Sequence, residues 1–219
     1  MVGKSALLVG ASGLVGSELL NCLLIAPEYS KVLVIVRKPL CLKHPKLEER
    51  VIEFEDLVLY NDCFKVEDVF CCLGTTIKKA QSQEAFKKVD VDYPLVMARL
   101  AKDMQAEKFL IISSMGANPD STVFYSRMKG LLEQKLKVIG IRSLHIFRPS
   151  LLIGDRNEFR LGETVSTLLT KGLSFIFIGS LKKYKPITAK AVASAMYRAA
   201  QRKEEGIHTY LSHEIPEIL

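Results

Sequence analysis

The chain has 219 residues, 48% hydrophobic and 25% charged, a balance that fits one globular domain with a sizeable core and excludes a disordered chain. Its net charge of +7 comes from scattered lysines, with short clusters such as Lys78-Lys79 and Lys182-Lys183-Tyr184-Lys185; this speaks against nucleic acid as a partner and for a basic surface that attracts an anionic cofactor. The five cysteines (Cys22, Cys41, Cys63, Cys71, Cys72) are odd in number and lack paired C-x-x-C spacing, so neither a disulfide framework nor a metal site is indicated.

Ala6-Leu7-Leu8-Val9 reads as a buried strand, and Gly10-Ala11-Ser12-Gly13-Leu14-Val15-Gly16 as the glycine turn that opens onto a helix. Glycines at a spacing of three serve a tight turn, close backbone approach to a phosphate and close helix–strand packing, and the free N–H groups at the helix start form an anion site. Val15, Leu19, Cys22, Leu23 and Ala26 lie along one stripe of that helix. A strand beginning near residue 5 leaves no room for a signal peptide, and the apolar stretch Gly172 to Leu181 is only ten residues, too short for a membrane span. The expectation is a cytoplasmic protein with no membrane partner.

Val32 to Val36 is the second buried strand, and it ends in Arg37-Lys38-Pro39. A dinucleotide fold places an acid here to hold a ribose 2′-hydroxyl, whereas arginine accommodates a 2′-phosphate, so the sequence favours NADPH over NADH; a solvated strand end is the plainer alternative. Residues 40–48 read as a polar connection, residues 50–54 as a third strand, and Glu55-Asp56-Leu57 as an edge of the adenine pocket. Asp68 to Leu73 is a fourth strand, and Gly74-Thr75-Thr76 lets backbone approach a cofactor. After a basic loop at residues 77–80, residues 82–103 read as helix, with Ser82 as cap, a break near Asp92 and Pro94, and Val89, Val96 and Leu100 toward the sheet.

Lys108 to Ile112 is the fifth strand, ending in Ser113-Ser114-Met115-Gly116; a helix from about Thr122 to Val138 follows, ended by Gly140. Tyr125 and Lys129, four residues apart, share one face of it. A free phenol titrates near pH ~10, and an ammonium one turn away favours its phenolate form. Tyr125 can then serve as acid–base, with Ser114, or else Ser113, hydrogen-bonding the same substrate oxygen. Leu144 to Phe147 is a sixth strand, closed by Arg148-Pro149-Ser150. The segment 150–186 lapses from the alternation and reads either as a substrate cover or as a packing or homodimer face. Pro186 starts a last helix with Val192, Met196 and Ala199 inward, Gly206 ends it, and Ile207 to Leu211 closes the chain as a strand. Alternating strands and helices call for an α/β fold, a Rossmann-type doubly wound parallel sheet with helices on both faces, spanning residues 1–219 as a single domain with its cofactor core at 1–150.

With these residues in view the chain resembles the short-chain dehydrogenase/reductases. Phe70 to Thr76, Ser113 to Ala117, Tyr125 to Gly130 and Phe147-Arg148-Pro149 look like the atypical branch that includes Tat-interacting-protein-like oxidoreductases and their bacterial relatives. The resemblance implies NADPH held by Ser12, Gly13, Val15, Arg37, Lys38, Leu73, Gly74, Tyr125, Lys129, Leu152 and Arg160, beside the turn glycines Gly10 and Gly16. It implies Tyr125 as acid–base with Lys129 and a serine assisting, on a small carbonyl or alcohol, since the region after residue 150 is short for a nucleotide-sugar substrate. Asp90 stands where this superfamily commonly has asparagine, which puts the usual proton relay in question. The alternative function is an NADPH-binding regulatory or interaction protein with protein partners and no turnover.

Overall fold

Lys4–Val9 forms the central strand β1, and its alternation decides the architecture: Leu7 and Val9 point into one buried cluster, Ala6 and Leu8 into another. A strand apolar on both faces must be covered on both, as parallel sheets are. The computed structural model describes residues 3–154 and 185–218. In it, β2 (Tyr29–Val36), β3 (Leu47–Val51), β4 (Asp68–Cys71), β5 (Lys108–Ile112), β6 (Ser143–Arg148) and β9 (Gly206–Leu211) join β1 in a seven-stranded sheet of order β3-β2-β1-β4-β5-β6-β9. Every pairing is parallel. Helices α1 (Leu14–Ile25) and α6 (Ala189–Gln201) cover the face of Ala6 and Leu8; a 3-10 segment (Phe54–Phe64), α4 (Tyr93–Asp103) and α5 (Phe124–Lys137) cover the other. This is the expected doubly wound fold. A parallel pair of two-residue strands, β7 (Leu152–Ile153) and β8 (Ile187–Thr188), lies outside the main sheet. Among the described residues no helix is long and apolar enough to cross a membrane.

Four local expectations are corrected. The third strand runs from Leu47 to Val51, three residues earlier than expected, because Val32–Val36 pairs with those residues; as an edge strand rich in Glu48, Glu49 and Arg50 it carries little apolar alternation, while Phe54 is drawn into the 3-10 segment. Residues 77–80 are a one-turn helix, α2 (Ile77–Ala80), capped by Thr76. Between Ser82 and Asp103 the chain forms α3 (Gln83–Lys87), a π turn (Lys88–Asp92) and α4. Ser82 does cap, accepting from the Ala85 N–H at 3.0 Å, and Pro94 sits in the first turn of α4, where its missing N–H costs nothing; the irregularity precedes it, and Met97, Ala98 and Ala101 bury more deeply than Val89 or Val96. The last helix starts at Ala189 behind a Thr188 cap and stops at Gln201, so Gly206 (φ +93°) opens β9 instead of ending the helix.

The β6–β9 pair carries a buried histidine. His145, wholly buried, stacks on His208 with ring centroids 4.9 Å apart. The Ser143 hydroxyl donates to the Glu204 carbonyl, so it must accept from His145 Nε2, 2.8 Å away, and Nδ1 then accepts from the Tyr210 hydroxyl at 3.0 Å. Both partners suit a neutral imidazole. Burial, then the positive charges of His208, Lys108 and Arg202, pull its pKa down to about 3. An unfolded histidine titrates near ~6.5, so below that pH the unfolded chain takes up a proton that the fold refuses, and stability falls as pH drops toward 3. The expected slope from this residue is ~1.4 kcal/mol per pH unit. His145→Gln should lose stability at pH 7 from its broken hydrogen bonds, and its deficit in urea unfolding should shrink as the pH is lowered to 5; a constant deficit would assign the acid sensitivity elsewhere.

Candidate active site

In a parallel sheet the strand ends of one polarity share one edge, and here that edge gathers the chemistry. The turn after β1 lies where the strand order reverses between β1 and β4, the crevice in which such sheets bind ligands. Gly10 has φ +88°, and a Cβ there would come within 2.6 Å of the Cys72 backbone; one on Gly16 would sit 2.1 Å from the Gly10 carbonyl oxygen. These two glycines let turn, helix and β4 close up. Gly13 is the N-cap of α1 in extended backbone, with no side-chain cap and no acid in the first turn. The Gly13 N–H donates to the Gly10 carbonyl oxygen at 2.8 Å and the Ser17 N–H to the Gly13 carbonyl oxygen at 2.9 Å, which leaves the N–H groups of Leu14, Val15 and Gly16 at the start of α1 for an anion. Ser12 is exposed and Val15 buried. Gly154 rests on Leu14, and Leu152, beside it in β7, is half-buried.

At the end of β2, Arg37 and Lys38 are exposed, and the Arg37 guanidinium stands 5.7 Å from the Phe54 ring centre. Leu73 and Gly74 follow β4 at the same edge. Across the crevice, α5 carries Tyr125, 38% exposed, and Lys129, 4% exposed. Lys129 Nζ lies 2.7 Å from Asp90 Oδ1, and the other Asp90 oxygen accepts the Thr75 N–H at 2.7 Å. Burial works against the ammonium, but the Asp90 carboxylate and then Tyr125 outweigh it and hold its pKa above the ordinary lysine value. Asp90 is thus the direct partner of Lys129. Cys71, beneath this pair, is no nucleophile: burial pushes its thiol up to about 11.

The two serines part company. Ser113, buried, donates its hydroxyl to Glu133 at 2.5 Å, while Ser114 is half-buried and its hydroxyl has no partner among the described residues. Glu133 also receives Arg148 through Nε and Nη2, at 3.0 and 2.5 Å. It stands one turn beyond Lys129, so Tyr125, Lys129 and Glu133 line one face of α5. Glu133 and its clamp on Arg148 are absent from the sequence-level site; the four-residue spacing was the available signal. Arg160, expected at the cofactor, lies outside the described residues, as does most of the expected substrate cover at 150–186. A separate cavity of about 510 Å³, between the 3-10 segment and α4, is lined by Phe54, Glu55, Lys88 and Tyr93 and does not include Tyr125. Its charges are largely paired with each other, Glu55 with Lys88 for example, so the crevice at the strand ends is the better candidate.

No family model matches the chain. It is 40% identical to Protein HTATIP2 of the rat, Rattus norvegicus, over 167 residues, 74% of this chain and 69% of that protein. It is 29% identical to Protein FMP52, mitochondrial, of Candida albicans over 92% of this chain and 90% of that one, and 31% identical to the protein of that name in Saccharomyces cerevisiae over 70% and 68%. Those names overturn the expected cytoplasmic location. Among solved structures, the fold matches MoeE5 in complex with UDP-glucuronic acid and NAD (TM-score 0.74, 17% identity, 94% of this chain and 75% of that one) and Bordetella bronchiseptica WbmH in complex with NAD+ (TM-score 0.71, 18% identity, 95% and 76%).

Removing one member of a buried charge pair strands the other. Glu133→Ala should therefore lower unfolding stability by about 3 kcal/mol, toward the lower end for buried pairs because Arg148 is partly solvated, and Glu133→Gln should cost less. A loss below about 1 kcal/mol in denaturant titrations, the range of exposed pairs, would show that the clamp is incidental.

Proposed function

Because the chain belongs to the HTATIP2 branch of the atypical short-chain dehydrogenase/reductases, we propose that it is a nicotinamide-dependent oxidoreductase that uses NADPH to interconvert a small carbonyl compound and its alcohol. The observation that carries this reading is the placement of Tyr125, open to solvent, one helical turn from the buried ammonium of Lys129, across the crevice from the uncapped start of α1. The residues present fit a dinucleotide. The turn from Gly10 through Ser12, Gly13 and Val15 to Gly16, with its free N–H groups at the start of α1, would hold a pyrophosphate, and Leu73, Gly74 and Leu152 would contribute to holding the rest of the dinucleotide. Arg37 and Lys38, with no acid next to them in the chain, would provide cations for a 2′-phosphate. The structures of similar fold hold NAD, which supports the cofactor class; the preference for the phosphorylated form rests on Arg37.

The bound cofactor supplies the hydride chemistry. The protein's own part is proton transfer: Tyr125 donates its phenolic proton to the substrate oxygen as charge builds there, and Ser114 donates a hydrogen bond to the same oxygen. Lys129 stabilises the phenolate left behind and would help hold the ribose of a bound cofactor. The names of the fungal relatives support a mitochondrial setting for this activity.

Two variants test the reading. Tyr125→Phe removes one hydroxyl, so NADPH should still bind within a few fold, while reduction of any aldehyde or ketone found by screening should fall by at least the ~10² of general acid catalysis. Equal turnover in both proteins would move the acid–base role elsewhere, and cofactor binding without turnover on a broad screen would favour a regulatory protein. Arg37→Ala should cost NADPH affinity about one to two decades, as losing a charge-assisted hydrogen bond does, and leave NADH nearly unchanged. Equal weakening of both cofactors in a fluorescence titration would reduce Arg37 to a loop support.

A further inference from the structure

Between α3 and α4 the helix admits a π turn, Lys88–Asp92, and its product is a carboxylate turned inward: Asp90 is 1% exposed. A π turn gives up regular helical geometry, and such turns occur often at functional sites. Packing does not require an acid here. The Thr75 N–H needs only an acceptor, which a neutral amide or hydroxyl supplies equally well, and an isolated buried carboxylate is costly.

We propose that Asp90 is a positioning residue for the acid–base chemistry, its carboxylate fixing the ammonium of Lys129 beneath Tyr125 and tying it through Thr75 to the loop that follows β4. The inference rests on the acid–base role of Tyr125 given above. Among the described residues the titratable groups facing Lys129 are few: Asp90 from the π turn, Tyr125 from its own helix and Cys71 from β4. Cys71 is a neutral thiol, and Glu133, one turn further along α5, is held by Ser113 and Arg148. Among the described residues Asp90 is therefore the carboxylate that balances Lys129.

That balance has a consequence for proton release. With Asp90 ionised, the cluster of carboxylate, ammonium and phenol is neutral overall, and losing one proton leaves it with a net negative charge. With a neutral residue at position 90 the same cluster starts positive and becomes neutral on losing that proton. Because Lys129 and Asp90 are buried, where charge is weakly screened, the second change is the easier one, whether the proton departs from the phenol or from the ammonium. Asp90 thus keeps the proton on the pair to higher pH, the state needed to donate to a carbonyl oxygen, and it stops the ammonium from turning away from Tyr125.

The test uses the full chain labelled with 13Cζ-tyrosine. The resonance of Tyr125 is identified by its loss in Tyr125→Phe, then followed against pH in the wild type and in Asp90→Asn, which keeps the shape and an acceptor for the Thr75 N–H. The first inflection should move down by at least one pH unit, and the alkaline fall in NADPH-dependent carbonyl reduction should move with it. An unmoved inflection in the folded variant overturns the proposal. Asp90→Ser, which also retains an acceptor without the charge, should show the same displacement if the asparagine variant does not fold; if neither folds, Asp90 serves the fold and the proposal fails. A wild type that reduces no carbonyl would refute the enzymatic reading by itself, while the titration still decides whether Asp90 governs the proton.

Discussion

The site depends on one costly group, the ammonium of Lys129, held at 4% exposure inside a low-dielectric wall. A charge in that position persists only with a partner at contact distance, and Asp90 provides it at 2.7 Å. Other features of this corner follow from meeting that demand. The π turn brings Asp90 inward, and the loop after β4 gives it a second bond through Thr75. Gly130, next to Lys129, has no Cβ because one would fall 2.1 Å from the Pro119 nitrogen, so α5 can press against the loop that leaves β5 and carry the lysine deep enough to be buried.

Along α5 the polar face descends in steps. Tyr125 meets solvent, Lys129 meets Asp90, and Glu133 meets Arg148 and Ser113 at the ends of β6 and β5. The turns that carry Lys129 and Glu133 are thereby bound to different places, the first to the π turn before α4 and the second to two strand ends. Such anchoring holds the Tyr125 hydroxyl in one place relative to the crevice, the positional control that the proposed proton transfer requires. Engagement of Ser113 by Glu133 has a further effect, since it leaves Ser114 as the hydroxyl available to the crevice.

The other end of the sheet does different work. Asp68 at the start of β4 receives the Tyr29 hydroxyl at 2.6 Å and lies near Lys4 and Lys108. This buried network joins β1, β2, β4 and β5 where they begin, far along each strand from the glycine turn. Polar groups thus pin the strands at one edge and are gathered at the opposite edge around the candidate site, a division that parallel strands make natural because all of them start on the same side.

How much of this was legible from the residues alone follows from the range of the interaction involved. The order of strands and helices, the glycine turn, the boundaries of β5 and the face shared by Tyr125 and Lys129 are consequences of short-period patterns, so sequence determined them. The edge strand β3 escaped because its position is set by pairing with β2 rather than by an apolar alternation of its own. Asp90 and Lys129 are thirty-nine positions apart, Ser113 and Glu133 twenty, His145 and Tyr210 sixty-five. No local period records such pairs. Sequence supplied the residue types capable of acid–base chemistry, and only the tertiary structure decided which carboxylate balances which cation, because that choice is made by the desolvation of groups that meet once the chain has closed around them.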